Sequence, residues 1–285
     1  MKWIIALFLL LGLAQIAIGQ TVRGIVRDSM SRAPLPYVHI GVPNKDMGVI
    51  SRDDGSFQIN LSKATSSDSL TFSTVGYQSY RIPLPVQSPD SLNVHLVPVA
   101  DTLREIRVEA SRLSNPVKLG RYKPTKITTG YSGSGDFGFG GEWGIRINHH
   151  GQTYRIADVR FHTRFNTLDS ALFRINIYRV QDSLPHESLL RRPLLVKSYR
   201  RDKWITKDVW DERLIVGQDI VVSYEVLQLW RSPRGNNALF FTHGEDYEPS
   251  QTYRRASSLD RWQIQDSFPA TLYLTVEGYE PTIRR

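Results

Sequence analysis

The side chains best suited to metal binding or proton transfer are seven histidines: His39, His95, His149, His150, His162, His186 and His243. None has a glutamate three residues on, so the carboxypeptidase zinc pattern is absent, and so is H-E-x-x-H. Two clusters remain that could hold a metal or titrate: His149-His150 and His243-Gly244-Glu245-Asp246, for which loop polarity is the simpler reading. Asp53 and Asp54 set two carboxylates beside Gly55, but the six to eight oxygens of a calcium shell need further acidic ligands close by, and there are none. A serine nucleophile elbow is missing, because Gly130-Tyr131-Ser132 runs on into Gly133-Ser134. Carboxylate pairs for glycoside hydrolysis are set by space, and the sequence singles out none. No catalytic residue, metal ligand or cofactor is assigned.

The stretch from Gly130 to Gly144 is rich in glycine and interleaved with Tyr131, Phe137, Phe139 and Trp143. It lacks the Gly-Lys-Ser/Thr ending of a phosphate loop, which leaves an aromatic-studded hairpin or edge loop. The sharper reading is that rings outside the core stack on a sugar or another flat ligand; Phe139, Trp143, Trp204, Trp230 and Trp262 are the candidate contacts. A net charge of +8 adds attraction to an anionic polymer, although arginine pairs such as Arg191-Arg192, Arg200-Arg201, Arg254-Arg255 and Arg284-Arg285 more simply make a solvated surface. Nucleic acid is not an expected partner, since no recognition motif accompanies the basicity.

The elements that must position these residues are strands. Phe57, Ile59 and Leu61 alternate with polar residues, and Asp54-Gly55 just before them supplies the turn of a predicted hairpin. Val38-Ile40-Val42, Leu70-Phe72 and Leu92-Val94-Leu96 repeat the alternation, separated by Pro- and Ser-rich breaks. Upstream, Lys2, the apolar run Trp3 to Ala14 and the small residues Ala17 and Gly19 predict a signal peptide over 1–19 and hence export, to the periplasm, the outer membrane or the exterior. No later run of about 18 apolar residues predicts a membrane-spanning helix. The absence of cysteine excludes disulfide staples and thiolate metal sites.

Gly24-x-Val26-x-Asp28, Ala33-Pro34-Leu35-Pro36-Tyr37-Val38, Gly48, Asp53-Asp54-Gly55-x-Phe57, Val75-Gly76-Tyr77 and Val94-x-Leu96 together resemble the carboxypeptidase-regulatory-like domain, common in exported proteins of Bacteroidetes-type bacteria. The resemblance implies a non-catalytic, transthyretin-like β-sandwich over 20–97, sometimes grouped with carbohydrate-binding-like folds. It makes Asp54, Gly55, Phe57, Gly76 and Tyr77 structural landmarks and implies no peptidase activity. In outer-membrane receptors that begin with this domain, an element like Leu103 to Val108 leads into a plug and barrel. The residues that follow here are too few for some twenty strands of about ten residues, so 98–120 is expected to be a linker.

From 121 to 285 the pattern is β again. Val159-Phe161-Thr163-Phe165, Phe173-Ile175-Ile177 and Leu272-Leu274-Val276 each alternate with residues assigned to a wet face, and in the longer mixed run from Leu214 to Trp230 the residues Ile220, Val222 and Tyr224 share a face. The expectation is therefore an all-β chain of two antiparallel sandwiches in tandem after the signal peptide, the second jelly-roll-like. Its expected role is non-catalytic binding or scaffolding, with a glycan or other envelope polymer as the ligand. Two alternatives stay open: an assembly component that docks an envelope protein on its sheet edges, and a hydrolase with its site in the second domain.

Overall fold

The computed structural model describes residues 21–87, 90, 92–99, 112–113, 115–132, 139–233, 235, 237–245, 251–265 and 269–280. The signal segment, Leu103 to Val108, Phe137, Asp246 and Arg284-Arg285 lie outside the described residues.

Seven strands build the first sandwich: β1 (Thr21–Asp28), β2 (His39–Val42), β3 (Met47–Ile50), β4 (Ser56–Asn60), β5 (Ser69–Ser73), β6 (Tyr80–Pro83) and β7 (Leu92–Leu96). They form a three-stranded sheet, β4-β1-β7, facing a four-stranded one, β3-β2-β5-β6. The alternating apolar residues meet between them: Phe57, Ile59 and Leu61 pack with Val38, Ile40, Leu70, Phe72, Val94 and Leu96. Two features depart from expectation. The turn at Asp54-Gly55 closes locally, with Gly55 at φ 77° and its N–H donating to Arg52 O at 3.0 Å. The strands it joins then diverge, because β3 pairs with β2 and β4 with β1, so the turn carries the chain between sheets and makes no hairpin of the two. Pairing is also not wholly antiparallel, since β7 returns to lie parallel to β1.

The second sandwich comprises β8 (Arg112–Leu113), β9 (Val117–Gly120), β10 (Pro124–Ser132), β11 (Glu142–Ile147), β12 (Tyr154–Asn166), β13 (Ser170–Gln181), β14 (Leu184–Ser188), β15 (Leu194–Tyr199), β16 (Trp204–Asp208), β17 (Ile215–Val216), β18 (Ile220–Trp230), β19 (Ala238–Gly244), β20 (Thr252–Arg255), β21 (Gln263–Gln265) and β22 (Leu272–Glu280). One sheet follows the order β10-β19-β12-β22-β8, with β9, β16 and β17 attached; the other runs β14-β13-β18-β11-β20-β21, with β15 attached. Its core gathers Val159, Phe161, Phe173, Ile175, Ile177, Val222, Tyr224, Leu272, Leu274 and Val276. Phe165 breaks the predicted alternation and is 51 % exposed. The pairing of β12 with β19 shifts register between Thr163 and Phe165, and such an irregularity re-aims the residue beyond it.

The wet face expected for β13 is dry, and so is the neighbouring row of β18. Arg174, Asn176, Ser223 and Glu225 alternate with core residues, yet each is buried. The first sandwich covers them. Tyr37 Oη donates to Gln228 Oε1 at 2.7 Å, Asn44 N–H to Leu259 O at 3.0 Å, and Asp46 N–H to Asp260 Oδ1 at 3.0 Å. Gly48 allows the closest approach, since a Cβ there would stand 1.9 Å from Ser258 O.

Candidate functional site

Between the sandwiches lies a layer of buried charge. Alternation on β13 directs Arg174 and Tyr178 away from the core, and cross-strand pairing sets Glu225 of β18 opposite Arg174. β11 brings Glu142 opposite Glu225 on one side and Arg255 of β20 on the other. From the first sandwich, β2 contributes His39. Arg174 donates to Glu225 Oε2 from Nε at 2.9 Å and from Nη2 at 2.7 Å, while its Nη1 reaches Tyr37 O at 2.8 Å. His39 Nε2 sits 3.0 and 3.1 Å from the Glu225 oxygens and against Arg174 Nη2. Glu142 accepts from Arg255 Nη2, from Ser223 Oγ at 2.6 Å and from Tyr178 Oη at 3.0 Å.

Two guanidinium groups balance two carboxylates, so the layer is neutral when His39 is neutral. Burial pushes the imidazole below its ordinary range; Glu225 pulls it back up, while Arg174 and Arg255 press it down further. Burial alone would raise the Glu225 carboxyl, but Arg174, His39 and Arg255 hold it below the usual carboxylate range. His39, Glu142 and Glu225 bring ligand atoms within 4.8 Å of one another, as a metal site would. The donor set does not suit a divalent cation, because Arg174 on Glu225 Oε2 and Arg255 on Glu142 Oε1 already balance both carboxylates and would repel an added cation.

This layer predicts how stability depends on pH. His39, and for reasons of burial His162 and His243, have folded pKa values below the ordinary value. The unfolded chain therefore binds protons first, and stability is lost as pH falls below about 6.5, by up to about 1.4 kcal/mol per unit for each histidine that stays neutral. Asp219, held at about 2 where its hydrogen bonds with His149 and Arg146 outweigh burial, adds a second loss below the usual carboxylate range. Urea unfolding at pH 7.5 and 5.5 should show the fall, with a shallower slope for His39→Gln; equal slopes would show that His39 takes up its proton in the folded protein at the ordinary pKa.

The remaining sequence candidates do not converge. His149 Nδ1 pairs with Asp219 Oδ1 at 2.8 Å, and Arg146 holds the same carboxylate at 2.7 Å. His243 is buried beside Trp143 and bonded to Thr129 Oγ1 at 2.8 Å. The turn carboxylates serve the backbone: Asp53 Oδ1 accepts from Asp54 N at 3.0 Å and Asp54 Oδ1 from Ser56 N at 2.8 Å. Two landmarks meet directly, Tyr77 Oη donating to Asp28 Oδ2 at 2.9 Å, while Gly76 adopts φ 86°. Arg255, read as half of a solvated pair, is instead buried in the charged layer, where it also stacks 4.9 Å over Trp262. Phe139 and Trp143 pack half-buried against the second core. Trp230 is half-buried under Lys197, whose Nζ is 4.2 Å from its ring centre.

Trp204 differs. At 38 % it is exposed, on the outward face of β16, opposite His162 of β12. Its ring meets the edge or face of His162 at 4.7 Å and of Tyr273 at 5.4 Å. Tyr122 meets Tyr273 from another side at 6.1 Å. Lys118 Nζ stands 5.2 Å from the Tyr273 ring centre and 5.5 Å from that of Tyr122. Arg160 lies 5.9 Å from Tyr273 and is fixed by two bonds to Asp158, at 2.8 and 3.0 Å. Aromatic rings and cations thus share one outward sheet face. Alternation marks Arg160, His162 and Tyr273 as outward, but the strand order that brings Trp204, Tyr122 and Lys118 beside them lies beyond local pattern.

This architecture defines an all-β protein of two sandwiches joined through a polar layer. Residues 22–108 match the model of the CarboxypepD_reg-like domain, and the first sandwich is a domain of that kind. No curated protein matches the chain. Similar solved structures include a candidate carbohydrate binding protein from Bacteroides uniformis (9% identity, 89% of this chain and 98% of that one, TM-score 0.24). A DUF3823 family protein from Parabacteroides merdae is similar at 12% identity (78% of this chain, 94% of that one, TM-score 0.21). So is the major pilin subunit of Bacillus cereus, at 10% identity (86% of this chain, 68% of that one, TM-score 0.21).

Proposed function

We propose that this is an exported, non-catalytic protein of the cell envelope that binds a glycan or similar envelope polymer through its second sandwich, with the first sandwich as a rigid support. The observation that carries the reading is the state of the acid and imidazole cluster. His39, Glu142 and Glu225 are the residues a hydrolytic or metal site would use, and their oxygens and nitrogen are engaged by Arg174, Arg255, Tyr178 and Ser223 in joining the two sandwiches. Buried charge saturated in this way orients domains and has no group left to meet a substrate. Export rests on the Met1 to Gln20 segment, whose apolar run and small residues suit cleavage.

Affinity electrophoresis through gels containing neutral and acidic polysaccharides tests the reading, with a reducing-end assay on the same polymers. The expected result is retardation by at least one polymer with no release of reducing ends. Chain cleavage would contradict it.

A further inference from the structure

Resting on the binding reading above, we propose that the outward face formed by Trp204, Tyr122, Lys118 and Arg160 over the buried Tyr273 is a recognition site for an acidic polysaccharide, whose sugar rings lie on Trp204 and Tyr122 and whose anionic groups meet the cations.

The first support is where the rings are. Tyr273 points away from the core of its own sheet yet is only 4 % exposed, because Trp204, Tyr122, Lys118 and Arg160 close over it. This gives a firm base under Trp204, which remains accessible. Two of these cations are held by the site itself: Arg160 by the Asp158 carboxylate, which Thr275 Oγ1 also bonds at 2.9 Å, and Lys118 by its position over two tyrosine rings. Rings in fixed positions offer apolar area at little entropic cost, as a sugar face requires.

The second support is the sign of the charge. Lys118 and Lys203 are exposed and have no carboxylate partner among the described residues. Arg164 is exposed two residues beyond His162, and after burial it is Lys203 and Arg164 that disfavour a proton on His162. Of the carboxylates nearby, Asp158 is paired with Arg160, Asp202 accepts the Tyr199 N–H at 2.7 Å, Asp208, at the far end of β16, accepts the Trp210 N–H at 2.8 Å, and Glu277 is half-buried further along β22. The rings thus have exposed cations beside them, which favours carboxylated or sulfated sugars over neutral ones.

The test uses the full chain in affinity electrophoresis with polygalacturonate, hyaluronan and heparin, against dextran and pullulan at equal ionic strength. The expected result is retardation by at least one acidic polymer and not by the neutral ones, weakened about tenfold or more in Trp204→Ala and in Lys118→Glu. Both variants should unfold in urea close to wild type, since neither residue is in the core; should Trp204→Ala unfold early, Trp204→Leu, which keeps apolar bulk and removes the ring face, takes its place. Binding to acidic polymers that is lost in Lys118→Glu but unchanged in a stable Trp204→Ala would mean general charge attraction and overturn the site. Equal binding of neutral polymers that depends on Trp204 would overturn the acidic class and leave the binding reading standing. No retardation by any polymer would overturn both.

Discussion

Arg174→Leu is expected to destabilise the protein by about 3–5 kcal/mol, the cost of leaving a buried charge without its partner. Glu225, at 0 % exposure, would keep only His39 as a neighbour able to donate to it, and His39 is held neutral by its burial. Tyr37 O would lose its donor as well. The double variant Arg174→Leu/Glu225→Leu should recover much of the loss, because replacing both members of a buried pair by apolar residues of similar size is often neutral or better. Urea unfolding of the two single variants and the double variant closes the cycle. A cost below about 1 kcal/mol for Arg174→Leu would mean that solvent reaches the layer and that the pair behaves as a surface one.

The second large effect is expected from Gly48→Ala. The added methyl would stand 1.9 Å from Ser258 O and 2.7 Å from Ser258 C, both backbone atoms, so no side chain can swing away to relieve it. Overpacking of this kind costs about 1–3 kcal/mol, and here the strain is relieved most directly by parting the sandwiches. Wild type should melt in one transition, since Asn44, Asp46 and Arg261 tie the same edge together. Gly48→Ala should melt in two, the second near the melting temperature of the isolated second sandwich. A single unshifted transition would show that β3 and the Ser258 segment do not meet as described.

Much of the fold was legible because its alternation obeys local physics. Phe57, Ile59 and Leu61 had to share a face, and so did Phe173, Ile175 and Ile177, and both sets are in cores. What failed was the inference from polar to wet. Arg174, Asn176, Ser223 and Glu225 follow the period of a solvated face, and only a second body docked on that face makes them buried. Nothing within β13 or β18 records that body; its surface is on β2 and β3, more than a hundred residues away. The Asp54-Gly55 turn was read correctly as a turn and wrongly as a hairpin, because turn chemistry fixes the local bend and not the partner of the next strand. The aromatic candidates were chosen by residue type alone. Trp204 is on an outward face with Tyr122, Tyr273, Lys118 and Arg160, which come from β9, β12, β22 and the residues after β9, while Trp230 shares Lys197 with the exposed Tyr199.

The acid, base and guanidinium side chains with the look of a catalytic centre lie in the joint between sandwiches, and recognition is proposed for the outer aromatic face. Retardation in a polygalacturonate gel, compared between Arg174→Leu/Glu225→Leu and Trp204→Ala, separates the two roles most directly. The predicted result is wild-type retardation for the joint variant and loss of retardation for Trp204→Ala, with both proteins folded. A folded joint variant that no longer binds, beside a Trp204→Ala that binds normally, would contradict the assignment.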